Sequence, residues 1–209
     1  MNLGASRHRV GQHRLQPTFA SNKAQAMATD TLITAEQFCE MPDHGVLREL
    51  VRDEVIEINP PGFRRGAICA AIARSLGNYV VERKTGRVTT NDAGIITRRN
   101  PDSVRGADVA YYSYQRIPAD QQPARYPARS PELVFEVLSS DDRWSYVLGK
   151  VSEYLAADVQ AVCVVDPAEE TITVYTPEHA PRMLTAQDTL ELPGILPGFQ
   201  VRVAELLAQ

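Results

Sequence analysis

The chain has 209 residues, 44% of them hydrophobic and 23% charged, a composition typical of one globular domain and unlike that of disordered or fibrous chains. The formal net charge of −4 is unevenly spread, because residues 1–27 carry four basic side chains and no acid, whereas residues 28–209 carry 18 basic and 26 acidic groups. A protein that holds nucleic acid mainly by neutralising phosphates is usually basic. The composition therefore argues against a tight nonspecific binder and allows an enzyme with an acidic, metal-binding site.

The basic residues are strongly biased towards arginine. Only three of the 22 are lysines, namely Lys23, Lys84 and Lys150. An ammonium and a guanidinium are not interchangeable in chemistry. Any reaction that needs an ammonium group therefore has few residues to use.

The sequence predicts a cytoplasmic protein with no membrane contact. The cysteines, Cys39, Cys69 and Cys163, are odd in number and lack a C-x-x-C spacing, which is typical of reduced thiols rather than disulfides or a zinc site. No apolar run reaches the roughly 18 residues of a membrane span. Residues 1–27 have neither a hydrophobic period nor a signal-peptide core, so we expect a disordered extension, or residues added by a start codon assigned too early, before a single domain at 28–209. A basic arm for nucleic acid is the weaker functional alternative.

The sequence of the first half of this domain predicts a short helix, a hairpin and a longer helix. Thr34 and Gln37 form a capping-box pattern at the start of the short helix. Two apolar runs, 46–51 and 54–58, flank a polar pair and predict a β-hairpin. After a Pro-Pro-Gly break, apolar residues recur at the helical spacing of an amphipathic helix packed on a sheet: Ile68, Ile72, Leu76, Tyr79 and Val80.

The second half predicts a β-α-β unit in a mixed sheet. The run 133–138 is apolar on both faces, except for one glutamate, which is typical of a central strand covered on both sides. The other predicted elements are strands 87–90, 94–97, 109–112, 161–165 and 171–175, a loop at 117–131 and a helix at 144–157. Strands followed by a β-α-β unit predict an α/β (α+β) domain whose mixed sheet is flanked by helices.

Glu136 is the residue that fits a purely structural interpretation least well. It lies in the middle of LVFEVL, where every neighbour is apolar, and an unpaired buried carboxylate costs several kcal/mol, so it needs a partner. One explanation is a salt bridge to an arginine, or a strand end that reaches solvent. The functional alternative is a metal-ligating carboxylate at the carboxyl end of a strand, where open α/β sheets place their sites.

Asp108 is a second candidate carboxylate, at the predicted start of the strand ADVAYY. A lone aspartate there is more often a turn residue than a ligand. Two carboxylates on separate strands are more informative, because Mg²⁺ takes one or two carboxylates together with waters and phosphate oxygens. Glu49 is a weaker candidate, since a cross-strand pair with Arg48 or Arg52 would explain it equally well.

Lys150 lies on the flank of the predicted helix 144–157, beside Val147 and Tyr154, and Arg143 falls on the same flank. A lysine that snorkels over the edge of the core would explain this position. The helix, however, directly follows the strand that bears Glu136. Its first turns are therefore expected near the end of that strand.

Four segments together resemble the Uma-two family of restriction endonucleases, a branch of the PD-(D/E)XK nuclease superfamily. They are RELVRDEVIEINPPG, GADVAYYS, the long block from PELVFEVL to CVVDP, and LPGILPGF. The resemblance runs in order from about Thr31 to about Leu207. It implies a nuclease-like mixed sheet flanked by helices, with an N-terminal hairpin that extends the sheet.

The resemblance also implies roles for particular residues. Asp108 matches the aspartate of the motif and Glu136 its second acid, while the catalytic lysine has moved from the strand to the helix, at Lys150. Glu49 matches a further acidic residue, and Arg143 a basic residue that would contact DNA phosphate. The chain departs from the family pattern at several positions, where other residue types are usual: Arg64, Arg65, Ala107, Tyr146 and Gly149.

The function implied is Mg²⁺-dependent hydrolysis of DNA phosphodiester bonds, with Mn²⁺ as a substitute. Asp108, Glu136 and the backbone carbonyl of Val137 would hold the ion. Glu49 would ligate a second ion or help to position the first. Lys150 would orient or help to deprotonate the attacking water, or would hold the phosphate. Because many related nucleases pair to cut two strands, a homodimer is expected. Two alternatives stay open: a nuclease-fold protein with a decayed site that binds nucleic acid or protein, and an enzyme that acts on RNA or DNA junctions.

Overall fold

The computed structural model describes residues 32–42, 44–140 and 142–208. The predicted extension at 1–27 lies outside these residues. The elements in chain order are α1 (Ala35–Glu40), β1 (Leu47–Val51), β2 (Glu54–Ile58), α2 (Phe63–Arg83), β3 (Gly86–Arg98), β4 (Ser103–Ser113), β5 (Leu133–Val137), α3 (Trp144–Ala156), β6 (Ala161–Asp166), β7 (Thr171–Tyr175), β8 (Arg182–Thr185), β9 (Thr189–Glu191), β10 (Gln200–Arg202) and α4 (Val203–Leu207).

The main sheet has eight strands in the order β2-β1-β4-β5-β6-β7-β8, and β3 pairs with β4 outside this path. Strands β5 and β6 are parallel and are joined by α3, while the other pairs of the sheet are antiparallel. A parallel pair needs such a crossover, because a tight turn reverses the chain direction. The predicted mixed sheet with a β-α-β unit is confirmed.

The N-terminal hairpin forms as predicted and lengthens the sheet. Thr34 and Gln37 make both hydrogen bonds of the capping box that starts α1. The hairpin turn places Arg52 and Asp53 at φ 51° and 69°, the left-handed conformation that two-residue hairpins require. Leu50 of β1 then pairs with Val104 of β4, which joins the hairpin to the sheet.

One strand is longer than the sequence predicts. The predicted strands 87–90 and 94–97 are a single strand, β3, because both halves pair with β4. The polar residues between them form an irregularity in the ladder, with Asn91 and Asp92 at positive φ, rather than a chain-reversing turn. Strand β4 likewise begins at Ser103, so the expectation that Asp108 starts its strand is wrong. Asp108 lies in mid-strand.

Strand β5 lies at the centre of the packing, and all five of its residues are buried. One face, with Phe135, packs among residues of α2 such as Ile72. The other face, with Val134, packs among residues of α3 such as Val151. None of the described helices is both long and apolar enough to cross a bilayer.

Candidate functional site

Strands β4 and β5 bring Asp108 and Glu136 together. Their ladder ends at the pair Val109 and Phe135, and each candidate carboxylate lies one residue beyond that pair, at the same end of the ladder. The Asp108 carboxylate accepts a hydrogen bond of 2.7 Å from the backbone N–H of Val137, the residue that follows Glu136. Two carboxylates from different strands therefore meet at one point.

Glu136 is buried and is held by α3. Its Oε2 accepts a 2.8 Å hydrogen bond from the Lys150 ammonium, and its Oε1 accepts one of 2.8 Å from the Tyr154 hydroxyl. Burial raises the pKa of Glu136 to about 7, although the Lys150 ammonium opposes this. This buried carboxylate is thus paired with a lysine and a tyrosine. The sequence allowed a salt bridge to an arginine instead, and among the described residues the structure does not place one there.

Lys150 is buried between two carboxylates and does not snorkel over the core edge. Besides Glu136, its Nζ contacts Glu49 Oε1 at 3.2 Å and donates to the Gly106 carbonyl at 3.0 Å. Burial disfavours the charge, but the Glu136 and Glu49 carboxylates outweigh it and raise the pKa of Lys150. Three acceptors surround the three N–H donors of an ammonium, so the group is fully satisfied.

Glu49 belongs to the same cluster. Its Oε1 accepts from the Gly106 backbone N–H at 3.0 Å, and its Oε2 accepts from Arg105 and from the Tyr146 hydroxyl, each at 2.8 Å. Burial acts to raise the pKa of Glu49, but the Lys150 and Arg105 cations lower it overall. Glu49 is therefore part of the site, and not a cross-strand partner of its neighbours Arg48 or Arg52.

Arg105 fixes the position of Glu49 and was not predicted from the sequence. Its side chain is only 4% exposed, and it donates to both carboxylate oxygens of Glu153, at 2.7 and 2.9 Å, besides Glu49. It thereby joins β1, β4 and α3. Its burial follows from the start of β4 at Ser103, which the predicted strand 109–112 does not reach.

A second arginine, Arg65, contacts Asp108. Its guanidinium, from α2, reaches the Asp108 carboxylate at 2.9 to 3.3 Å through Nε and one terminal nitrogen. The sequence marked Arg65 only as a departure from the family pattern. The structure makes it the charge partner of Asp108.

Arg143 lies apart from these residues. It is the exposed N-cap of α3, about two turns before the buried Lys150, although a helical wheel places both on one flank. The N-cap precedes the regular helix, so the wheel does not fix its direction. Contact between Arg143 and DNA phosphate stays a prediction.

The cluster borders a small cavity of about 40 Å³. Four carboxylic acids and two cationic side chains line it: Glu49, Asp92, Glu136, Asp142, Arg65 and Lys150. Asp92, from the irregular part of β3, was also missed, and burial together with the Asp108 carboxylate raises its pKa. Acids therefore outnumber cations in this lining, and two of the acids, Glu136 and Asp92, have raised pKa values.

Comparisons with known proteins identify the family of the chain. Residues 35–204 match the model of the Uma2 family, described as "Putative restriction endonuclease". The chain belongs to the Uma2 family. No curated protein matches the sequence significantly.

A solved structure shares the fold. It comes from Anabaena variabilis and is described as "a putative nuclease belonging to DUF820". The two chains superpose with a TM-score of 0.72 at 19% identity, over 84% of this chain and 98% of the other. The nuclease-like fold expected from the sequence is confirmed.

One departure from the Uma2 pattern has a structural explanation. Tyr146 stands where the family commonly has an acidic residue in the helix, and its hydroxyl donates to Glu49 Oε2. Arg105 also lies 5.4 Å from the centre of its ring. The tyrosine in this Uma2 chain therefore supports Glu49 instead of adding a further charge.

Proposed function

We propose that the protein is a Mg²⁺-dependent endonuclease that hydrolyses phosphodiester bonds of DNA. The observation that carries the proposal is the convergence of Asp108, Glu136 and Lys150 at the end of the β4–β5 ladder. Membership of the Uma2 family supports it. A carboxylate pair could hold a metal ion, and an ammonium beside it could orient a water or neutralise phosphate charge during metal-assisted hydrolysis.

The residues present fit a hard cation. Among the described residues, no three His, Cys, Asp or Glu side chains form a metal-binding group, so a fully protein-ligated site is not available. Mg²⁺ does not need one, because it commonly takes one or two carboxylates and keeps several waters. Asp108, Glu136 and the Val137 carbonyl would hold the ion, which would lower the pKa of a bound water and neutralise charge on the reacting phosphate.

The side chains themselves position the reactants. Lys150 contacts both Glu136 and Glu49, so it could orient the attacking water or contact the phosphate once one of these contacts is released. Glu49, fixed by Arg105, holds that ammonium from the opposite side. This arrangement keeps the donor in place before substrate arrives, which lowers the cost of ordering it in the transition state.

One observation favours the second candidate, a nuclease fold that has lost its metal. Arg65 already neutralises Asp108, with its side chain 14% exposed against 5% for the aspartate. In an active site this guanidinium must leave Asp108 when an ion binds. In a decayed site it replaces the ion permanently.

Removing Arg65 distinguishes these cases. For Arg65→Ala, we expect the affinity for Mn²⁺ to rise about tenfold or more, because the ion no longer competes with a charged hydrogen-bonded partner. Calorimetric titration measures the affinity, and the Mn²⁺-dependent rise in melting temperature checks it independently. Arg64→Ala is the control, since Arg64 bonds the Pro167 carbonyl instead of Asp108. Absence of Mn²⁺ binding in the wild type and in both variants would support the decayed site.

The proposed function itself is tested by a cleavage assay over supercoiled, linear, single-stranded and branched DNA, in Mg²⁺, in Mn²⁺ and in EDTA. We expect cleavage of at least one of these DNA forms with either metal and none with EDTA. Cleavage that is equally fast in EDTA would exclude the metal-dependent mechanism. Failure to cut any form in any metal would contradict the enzyme proposal.

A further inference from the structure

The cavity at the candidate site is too small to hold a nucleotide. Its volume of about 40 Å³ has room for roughly one to three waters. A phosphate that reaches Glu136 through this cavity must therefore leave its sugar and base outside. The neighbouring surface decides which nucleic acids can be cut.

A larger groove adjoins this cavity and shares Arg65, Leu138 and Asp142 with it. Its volume is about 480 Å³, within the range of pockets that bind small organic ligands. The groove lies between the start of α2, the start of α3 and the turn after β6. It is the continuation of the site towards solvent.

Two exposed aromatic side chains line the groove. Phe63, the first residue of α2, is 91% exposed, and Trp144, the first residue of α3, is 46% exposed. The third exposed aromatic of the described residues, Tyr146, lines the inner cavity. The exposed rings of this part of the chain are thus concentrated at the site, although large apolar groups on a surface are usually scattered.

Charge alone would not bind nucleic acid in this groove. Two arginines, Arg64 and Arg65, are matched by two aspartates, Asp142 and Asp166, so the lining has no net charge. The first-turn N–H groups of α2 and α3 add a weak preference for anions, since neither N-cap makes a side-chain hydrogen bond. The apolar rings are therefore the main source of binding energy.

We infer that the groove binds an unpaired base, stacked on Phe63 and Trp144, beside the phosphate that is cleaved. This inference rests on the proposed nuclease function. Bases stack on aromatic side chains in many proteins that bind single strands, whereas the bases of a duplex are covered by their neighbours. The substrate class is thus DNA with unpaired nucleotides at the cleavage point.

Trp144 supplies a direct probe, because it is the single tryptophan of the sequence. The full-length protein is titrated in EDTA with a 12-nucleotide single strand and with the blunt duplex of the same sequence. We expect the single strand to quench Trp144 emission and the duplex to need at least about a tenfold higher concentration. Equal quenching by both, or quenching by neither, would overturn the inference.

Variants test the contact itself, with binding followed by the anisotropy of a labelled single strand. Phe63→Ala and Trp144→Ala are each expected to weaken binding about 5- to 100-fold, while Trp144→Phe stays within about threefold of wild type. Met183→Ala removes an apolar side chain that is 66% exposed on β8 and does not line the groove, and should change nothing. Wild-type binding by Phe63→Ala would contradict stacking.

These binding measurements are independent of cleavage. If the protein binds single strands through the groove and cuts no DNA in metal, the nuclease proposal fails and the groove assignment stands. If it cuts duplex DNA while the groove variants bind single strands like wild type, the nuclease proposal stands and the inference fails.

Discussion

Lys150→Met is expected to abolish cleavage and to lower the free energy of unfolding by about 3–5 kcal/mol at pH 8, the usual cost of removing one partner of a buried ion pair. The ammonium is the shared partner of Glu136 and Glu49, at 2.8 and 3.2 Å. Methionine fills similar space but leaves the two buried carboxylates without their ammonium partner. Urea unfolding measures the loss.

The loss should depend on pH in a defined direction. Burial already raises the pKa of Glu136 from its ordinary value of 4.5 to about 7, and removing the Lys150 ammonium raises it further. A carboxyl whose pKa is raised in the folded state binds more protons there than when unfolded, so its contribution to stability falls as pH rises above about 4.5. We therefore expect Lys150→Met to be close to wild type at pH 5 and far less stable at pH 8.

Two comparisons isolate this effect. Lys84→Met changes an exposed lysine at the end of α2 and should leave both stability and cleavage unaltered. The double variant Lys150→Met/Glu136→Gln should regain most of the stability at pH 8, because one uncompensated charge is gone, and remain inactive. A Lys150→Met protein as stable as wild type at pH 8 would contradict the buried pair.

Glu136→Gln is expected to lower the cleavage rate by about a thousandfold or more. The amide keeps the shape but loses the charge that would hold the cation, and the transition-state stabilisation supplied by a metal amounts to several kcal/mol, at roughly tenfold in rate for each 1.4 kcal/mol. The rate is measured as conversion of the best-cut DNA form under single-turnover conditions in Mg²⁺. Circular dichroism checks that the fold is retained.

Glu132→Gln is the matched control. Glu132 directly precedes β5, is also buried, and is held by Arg116 and Ser113 at the opposite end of the strand from Glu136. Loss of its charge should affect stability and leave the cleavage rate within about threefold of wild type. Cleavage at the wild-type rate by Glu136→Gln would show that the assigned residue is wrong.

The parts of the site that could be predicted from sequence are those in which a residue conflicts with its local pattern. Glu136 is a charge inside an apolar strand, and Lys150 lies beside an apolar helical stripe. Both conflicts reflect local periodicity, which a sequence displays directly. The structure resolves both conflicts with one contact, because α3 returns over the end of β5.

The residues that were missed depend on contacts between distant parts of the chain. Arg65 and Arg105 reach Asp108 and Glu49 over separations of 43 and 56 residues, and arginine is common on surfaces throughout this sequence. Tyr154 matched the apolar stripe of α3, which hid its hydroxyl contact with Glu136. Asp92 lies between the predicted strands 87–90 and 94–97, where an Asn-Asp pair usually marks a turn, and only the pairing of both strands with β4 shows that the chain does not reverse there.

Calorimetric titration of Mn²⁺ without DNA tests most directly whether the cluster around Glu136 holds a catalytic cation. The wild-type protein is compared with Glu136→Gln and with Glu132→Gln under identical conditions. We predict one binding event for the wild type and for Glu132→Gln, and none for Glu136→Gln at the same concentrations. Equal binding by all three proteins, or no binding by the wild type, would contradict the metal site.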